Sequence, residues 1–183
     1  LEDIVADDLR ARDVIQSLRR LLRKEKSEFL AVDLNMLIRE VLDLAQSDLI
    51  TKNVTVLRQL ARDLPPIRGD RVQIQQVLLN LIVNACEAMA AGRSDNRKLR
   101  ILTDVGENDT VHLEVRDSGP GVAPEMRDRI FDPFLTTKNM GLGLGLTICR
   151  SLVAAHGGSL WHTPNEAGGA SFHVALPRAG SAD

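Results

Sequence analysis

The chain has 183 residues, 44% of them hydrophobic and 26% charged, which suits one well-cored globular domain with an appendage. A formal net charge of −2 and only 3% aromatic residues, with no Tyr and one Trp, give neither the basic footprint nor the base-stacking surface of a nucleic-acid binder. Cys86 and Cys149 fall far apart in apolar helical patterns and read as reduced core residues rather than a disulfide or metal framework. The sequence has no apolar run of the ~18 residues a membrane span needs, and it opens LEDIVADD, acidic where a leader is basic. A cytoplasmic stretch without membrane contact of its own is expected, with an anchor elsewhere in a full-length protein left open.

Residues 1 to about 25 read as one helix, with Leu1, Ile4, Ala11, Ile15, Leu18 and Leu22 forming a heptad seam. Arg19, Arg20, Arg23, Lys24 and Lys26 crowd its end, where the helix dipole favours cations. This helix needs a partner helix or a second subunit to bury its stripe. After a break at KEKSEFLAVDLN, Asp33 or Asn35 caps a second helix that runs to about Ser47. VTVLRQL alternates as a strand, and LPPIRGD reads as punctuation. Asp70 starts a long helix ending near Ala90. Strands follow near 98–105 and 111–117, joined by a turn at 106–109. A short helix is expected near Pro124 to Arg129, another helix ends about Ala155, and GGSLWHT and GASFHVAL are the last strands. The segment from Pro177 reads as a polar tail, frayed over 179–183. The fold class is α+β: a two-layer α/β sandwich with helices on one face of a mixed sheet, preceded by the N-terminal bundle helix.

Three stretches carry chemistry. In the long helix, Gln73, Gln76, Asn80, Asn84 and Glu87 follow spacings of three and four and share one face, while Ile74, Val77, Leu78, Leu81, Ile82, Ala85 and Met89 fill the rest. Such a stripe is either a solvated face or a row of neutral oxygen donors suited to a magnesium–nucleotide complex. In RDSGPGV, alternation from Val111, Leu113 and Val115 sends Asp117 toward the core, where a carboxylate needs donors such as a purine amine. Gly119 and Gly121 allow close backbone approach, although DSGPG on its own is also a turn. MGLGLGL runs into a helix and collects backbone N–H groups as an anion site, with Lys138 before it. It lacks the strand and spacing of a dinucleotide fingerprint.

In this order and spacing the stretches resemble the ATP-binding catalytic domain of sensor histidine kinases, in the superfamily shared with DNA gyrase, heat-shock chaperone and mismatch-repair ATPases. The resemblance covers roughly residues 30 to 177. NLIVNACEA resembles the asparagine box, DSGPG and GLGLGL the two glycine boxes, and FDPF the phenylalanine box. HGG at 156–158 and the closing SFHVALP also match, and FDPFLTTK looks most like the nitrogen-regulation and oxygen-sensor branch. The resemblance implies a Bergerat-type fold binding ATP and Mg²⁺. It implies Asn84 as the magnesium ligand and Asn80 on phosphate or the metal's water shell. It implies Asp117 on the adenine amine, helped by Gly119 and Gly121. Residues Phe131 to Gly145 would form the ATP lid, anchored by Phe131 and Phe134. Lys138, Gly143 and Gly145 would face the phosphates, with Thr137, Gly141 and Leu146 completing the nucleotide set. Hydrolytic members carry a glutamate where this chain has Asn80, which implies transfer rather than hydrolysis. Many relatives carry Lys where Glu87 stands, so Glu87 either reaches the metal's water shell or is solvated. A hydroxyl often lies near the adenine aspartate, and Ala170 or Ser171 occupies that place here.

The family's acceptor histidine is not found among His112, His156, His162 and His173. None of the four is followed by the acidic residue and proline–leucine pattern of the acceptor site. The expectation is a fragment: residues 1–27 as the second helix of a dimerisation hairpin, 28–178 as the ATP-binding domain, and the acceptor helix upstream. A homodimer through the N-terminal helices and a response regulator receiver domain are the expected partners. The alternatives are a non-catalytic ATP-binding regulatory module and an anti-sigma-type serine kinase.

Overall fold

The computed structural model describes residues 28–92, 95–136, 142–165 and 168–180. The expected seam helix over 1–27, and Thr137, Lys138 and Gly141, lie outside the described residues. In chain order the elements are β1 (Leu30–Val32), α1 (Leu34–Leu44), α2 (Gln46–Thr51), β2 (Val54–Leu60), β3 (Ile67–Gly69), α3 (Arg71–Ala91), β4 (Arg97–Val105), β5 (Thr110–Arg116), α4 (Gly145–Ala155), β6 (Ser159–Pro164) and β7 (Ala170–Pro177). A 3₁₀ turn at Pro124–Met126 replaces the short helix expected there.

Five strands form a mixed sheet in the order β2-β4-β5-β7-β6. The β2–β4 pair is parallel and the other pairs are antiparallel. Helix α3 lies over β4 and β5 and packs between α1 and α4, so the helices form one layer and the sheet the other. Alternation on β5 decides which side is core: Val111, Leu113 and Val115 are buried among the helices. On the opposite face His112, His173 and Trp161 stack, with ring centroids 5.2–5.6 Å apart.

Helix α3 is long and apolar enough to cross a membrane by length and composition alone. Its apolar content is explained by packing: Ile74, Val77, Leu78, Leu81, Ile82, Ala85, Cys86 and Met89 are all buried in the core. Each Leu or Ile of this set contributes roughly 1.5–3 kcal/mol by leaving water. Asp70 caps the helix, its Oδ1 accepting from the N–H groups of Val72 and Gln73 at 2.9 and 3.2 Å.

Three expectations are corrected. The breaks read at KEKSEFLAVDLN and LPPIRGD hide β1 and β3, which pair with each other as a separate two-stranded sheet, joined to the end of β7 by a single bridge between Ile67 and Arg178. At three residues each, they are too short for alternation to register. The helix after Asp33 stops at Leu44 and restarts as α2, with Ala45 between. Arg178 and Ala179 are tied down rather than frayed: their N–H groups donate to the carbonyls of Asp109 and Pro66 at 3.0 and 2.7 Å.

Asp33 is the cap of α1, donating no charge to the core, and Asn35 has a different task. Asn35 is buried; its Nδ2 donates to Ala61 O at 2.8 Å and its Oδ1 accepts from Thr103 Oγ1 at 2.9 Å. Thr103 Oγ1 also accepts from the N–H of Ala61 at 3.1 Å. This closed triangle fastens α1 to the sheet. Asn35→Leu strands two of its members and is expected to cost about 2–3 kcal/mol in urea denaturation. Thr103→Val added to it then costs much less than in the wild type, and simple additivity would contradict the triangle.

Candidate functional site

The polar stripe of α3 does not reach the core. Gln73, Gln76, Asn80, Asn84 and Glu87 are all half-buried, along the side of the helix that α4 approaches. Asn80 Nδ2 donates to Cys149 Sγ of α4 at 3.6 Å, a weak bond that turns the amide oxygen away from the thiol. One turn on, Asn84 lies beside the start of α4: a Cβ added to Gly145 would stand 3.8 Å from Asn84 Nδ2. Helices α1 and α3 begin with an aspartate cap, whereas α4 has no side-chain cap bond at its N-terminus. Its leading N–H groups and positive dipole end therefore remain available to an anion.

The approach to α4 is stitched together locally. Phe131 is buried, its carbonyl accepts from Thr147 Oγ1 at 3.0 Å, and the Arg150 guanidinium lies 5.3 Å over its ring. Gly143 has φ +65°, and a Cβ there would fall 2.5 Å from Leu135 O. Only glycine allows the two strands of the segment to touch at that point. Leu146 packs against the core from the first turn of α4. Of the two expected anchors, only Phe131 is one: Phe134 is 74% exposed with φ +64°.

Asp117 closes the other end. It follows β5 on the core face and is only 4% exposed. Its Oδ1 accepts from the N–H groups of Gly119 at 2.7 Å and Ala170 at 3.3 Å. Among the described residues the bonds to this carboxyl all fall on Oδ1, and Oδ2 is not one of the sealed, unpartnered polar atoms. Burial pushes this carboxyl above the usual carboxylate range, and the two backbone bonds only partly offset it. Gly121 follows with φ +78°, its backbone against Gly169.

The position near the aspartate is now assigned. Ala170 pairs with Asp117 through its backbone, while Ser171 Oγ donates to Asn165 Oδ1 on the other face of β7. Asn165, which the sequence reading passed over, also donates from Nδ2 to Asp117 O at 3.0 Å. It secures the β6–β7 turn against the aspartate's own backbone. Only the Asn in a turn-like PNEAGG stretch hinted at it.

The four histidines and two thiols stand apart from this chemistry. His156 is buried with both ring nitrogens engaged, and His112, His162 and His173 lie on strands. Burial pushes the thiols of Cys86 and Cys149 up to about 11 and about 12, so both remain protonated and unreactive near neutrality. Among the described residues no cluster of three acidic, His or Cys side chains could hold a metal.

A family model described as the histidine kinase-, DNA gyrase B- and HSP90-like ATPase domain matches residues 69–180. The sensor protein FixL of Bradyrhizobium diazoefficiens is 39% identical over 171 residues, 93% of this chain and 34% of that protein. The chain thus spans about a third of that relative's length. Among solved structures, the catalytic domain of the histidine kinase ThkA in a nucleotide-free form superposes with a TM-score of 0.73 at 36% identity, covering 82% of this chain and 96% of that one. The histidine kinase ThkA in complex with the response regulator protein TrrA gives a TM-score of 0.77 at 31% identity, covering 97% of this chain and 50% of that one.

A Cβ at Gly119 would stand 2.8 Å from Asp117 Oδ1 and displace its best donor. In Gly119→Ala, a carboxyl-carbon NMR titration is expected to find Asp117 still further above the usual range than in the wild type. Because the folded group already holds its proton to higher pH than the unfolded one, its contribution to stability falls as pH rises through that window. A titration unchanged by the substitution would contradict this geometry.

Proposed function

The chain belongs to the histidine kinase-, DNA gyrase B- and HSP90-like ATPase family, and from that membership we propose that residues 28–178 are the catalytic ATP-binding domain of a sensor histidine kinase. The single observation that carries the reading is the half-satisfied carboxylate of Asp117 at one end of a site whose other end is an uncapped helix beside two amides.

Asp117 Oδ2 accepts the exocyclic amine of adenine, and a guanine, which presents a carbonyl at that place, is refused. The amide oxygen of Asn84 is a Mg²⁺ ligand, and that of Asn80 receives the metal's water shell or a phosphate oxygen. Neutral amides suit this place because Mg²⁺ takes hard oxygens and shares its octahedron with phosphates. Bound there, the metal would neutralise charge building on the transferred group. The N–H groups from Gly143 to Leu146 hold phosphate oxygens at the positive end of α4. Thr137, Lys138 and Gly141 complete the set by resemblance, with Lys138 supplying a positive charge to the phosphates.

Asn80 has no basic function with which to activate water, so the domain positions ATP for transfer and catalyses little hydrolysis. Positioning and charge stabilisation supply most of phosphoryl-transfer catalysis. None of the four histidines stands at the cradle, which supports an acceptor on an upstream helix. Residues 1–27 would then be the adjoining hairpin helix, through which the intact protein is a homodimer. The phosphoryl group passes onward to an aspartate of a response regulator.

Calorimetric titration tests the binding steps. Asn84→Ala is expected to abolish most of the affinity gained on adding Mg²⁺. Asp117→Asn keeps the oxygen that Gly119 and Ala170 hold but turns an NH₂ toward the adenine amine. That donor–donor conflict is worth about 2 kcal/mol, a loss of roughly 30-fold in ATP affinity, with no loss of thermal stability. GTP bound as tightly as ATP would overturn the assignment of Asp117.

A further inference from the structure

The purine and metal ends of the site leave the buried imidazole of His156 unused. It ends α4 as the C-cap residue and is 4% exposed. Its Nδ1–H donates to Leu152 O at 2.7 Å, using a carbonyl of the last helical turn. Its Nε2 accepts from the N–H of Asp70 at 3.0 Å. Asp70 is the cap that starts α3. One neutral imidazole thus joins the last turn of α4 to the first residue of α3, across 86 positions of sequence.

The two helices run antiparallel, since the end of α4 meets the start of α3 and the start of α4 meets Asn84. Contacts along their length include the bonds of His156 with Asp70 and of Cys149 with Asn80 and Val77, and the approach of Gly145 to Asn84. Of these bonds, that of His156 has the normal length of a neutral hydrogen bond, whereas those of the Cys149 sulfur are long and weak. From His156 to Gly145 is about 16 Å along the helix at ~1.5 Å per residue. A tilt of about 3° at the clamp opens the Asn84–α4 gap by roughly 0.8 Å at that lever length. A displacement of about 1 Å is enough to cost as much as 100-fold where groups must be positioned.

The clamp also touches the chain where it enters the domain. The Phe29 ring stands 4.7 Å from the His156 ring. Phe29 leads into β1, and Leu30 pairs with Gly69 at the end of β3. A Cβ at Gly69 would lie 2.8 Å from His156 Cδ2, so glycine is needed there for the ring to reach Asp70.

We propose that His156 is a positioning residue that sets the spacing of α3 and α4, and so the width of the Mg²⁺–phosphate cradle, from its far end. The inference rests on the nucleotide-site reading above. It concerns the metal–phosphate half, because Asp117 is held by the N–H groups of Gly119 and Ala170, and Gly119 meets α3 at its last turns, the end away from the clamp.

The test uses the 183-residue chain and two titrations: ATP with Mg²⁺, and ADP in EDTA. Their ratio reports the cradle separately from the adenine contact. His156→Leu is expected to reduce that ratio about tenfold while ADP affinity in EDTA moves less than threefold. His156→Gln, whose amide oxygen can accept from Asp70 N–H, restores most of it. Gly69→Ala, which displaces the ring and keeps the imidazole, lowers the ratio as His156→Leu does and decides the matter if that variant does not fold. A folded Gly69→Ala or His156→Leu with an unchanged ratio overturns the proposal, as does an equal fall in both titrations. A wild type that binds neither nucleotide overturns the nucleotide-site reading and this inference with it, whereas normal wild-type binding with unaffected variants overturns this inference alone.

Discussion

Helix α3 has to satisfy two demands at once. It is the central beam of the helical layer, with eight side chains in the core between α1, α4 and the sheet. It also presents two amides to the place where α4 begins. A helix apolar on all sides would bury Asn80 and Asn84 without partners, at a cost of several kcal/mol each on transfer scales. A helix with an ordinary charged face would fill the cradle with side chains of its own. Neutral amides at a spacing of four, on an otherwise apolar helix, meet both demands. The neighbouring elements follow from this: the start of α4 lies beside Asn84, and β5 ends at Asp117, whose neighbour Gly119 packs against the last turns of α3.

The site is held in a state that costs stability. Asp117 is buried with one oxygen satisfied, and its carboxyl sits above the usual range because burial outweighs two backbone bonds. Its second oxygen is not sealed from solvent, so the cost falls on the charged form of the carboxyl rather than on an orphaned acceptor. By contrast, Glu114 on the opposite face of the same strand is also buried, but the bond and charge of Arg116 help to outweigh the burial and hold it below the usual range. Two carboxylates three residues apart thus have opposite shifts, and Asp117 is the one without a cation beside it. That contrast supports the proposed role of Asp117 more clearly than burial alone.

Much of this was legible in the sequence, for identifiable reasons. The period of α3 and the alternation of β5 run over long elements, so Asn80, Asn84 and Asp117 could be placed on faces before any coordinates. The sandwich, the antiparallel strands and the ends of α3 followed from the same patterns. What was missed depends on contacts distant in sequence. Strands β1 and β3 are three residues long and exist only as partners of each other. Asn35 looked like a cap and instead closes a triangle with residues 61 and 103. Asn165 supports Asp117 from 48 positions away. Phe134 shared a motif with Phe131, but only Phe131 meets α4. The tail looked polar and free, yet its backbone bonds Asp109 and Pro66.

The central claim is that one cavity reads adenine with Asp117 and a metal–phosphate group with α3 and α4. A crystal structure of the chain with Mg²⁺ and a non-hydrolysable ATP analogue tests it most directly. The account predicts the adenine amine on Asp117 Oδ2, Mg²⁺ on the amide oxygen of Asn84, and phosphate oxygens on the N–H groups that open α4. Adenine bound away from Asp117, or a metal held without Asn84, would contradict it.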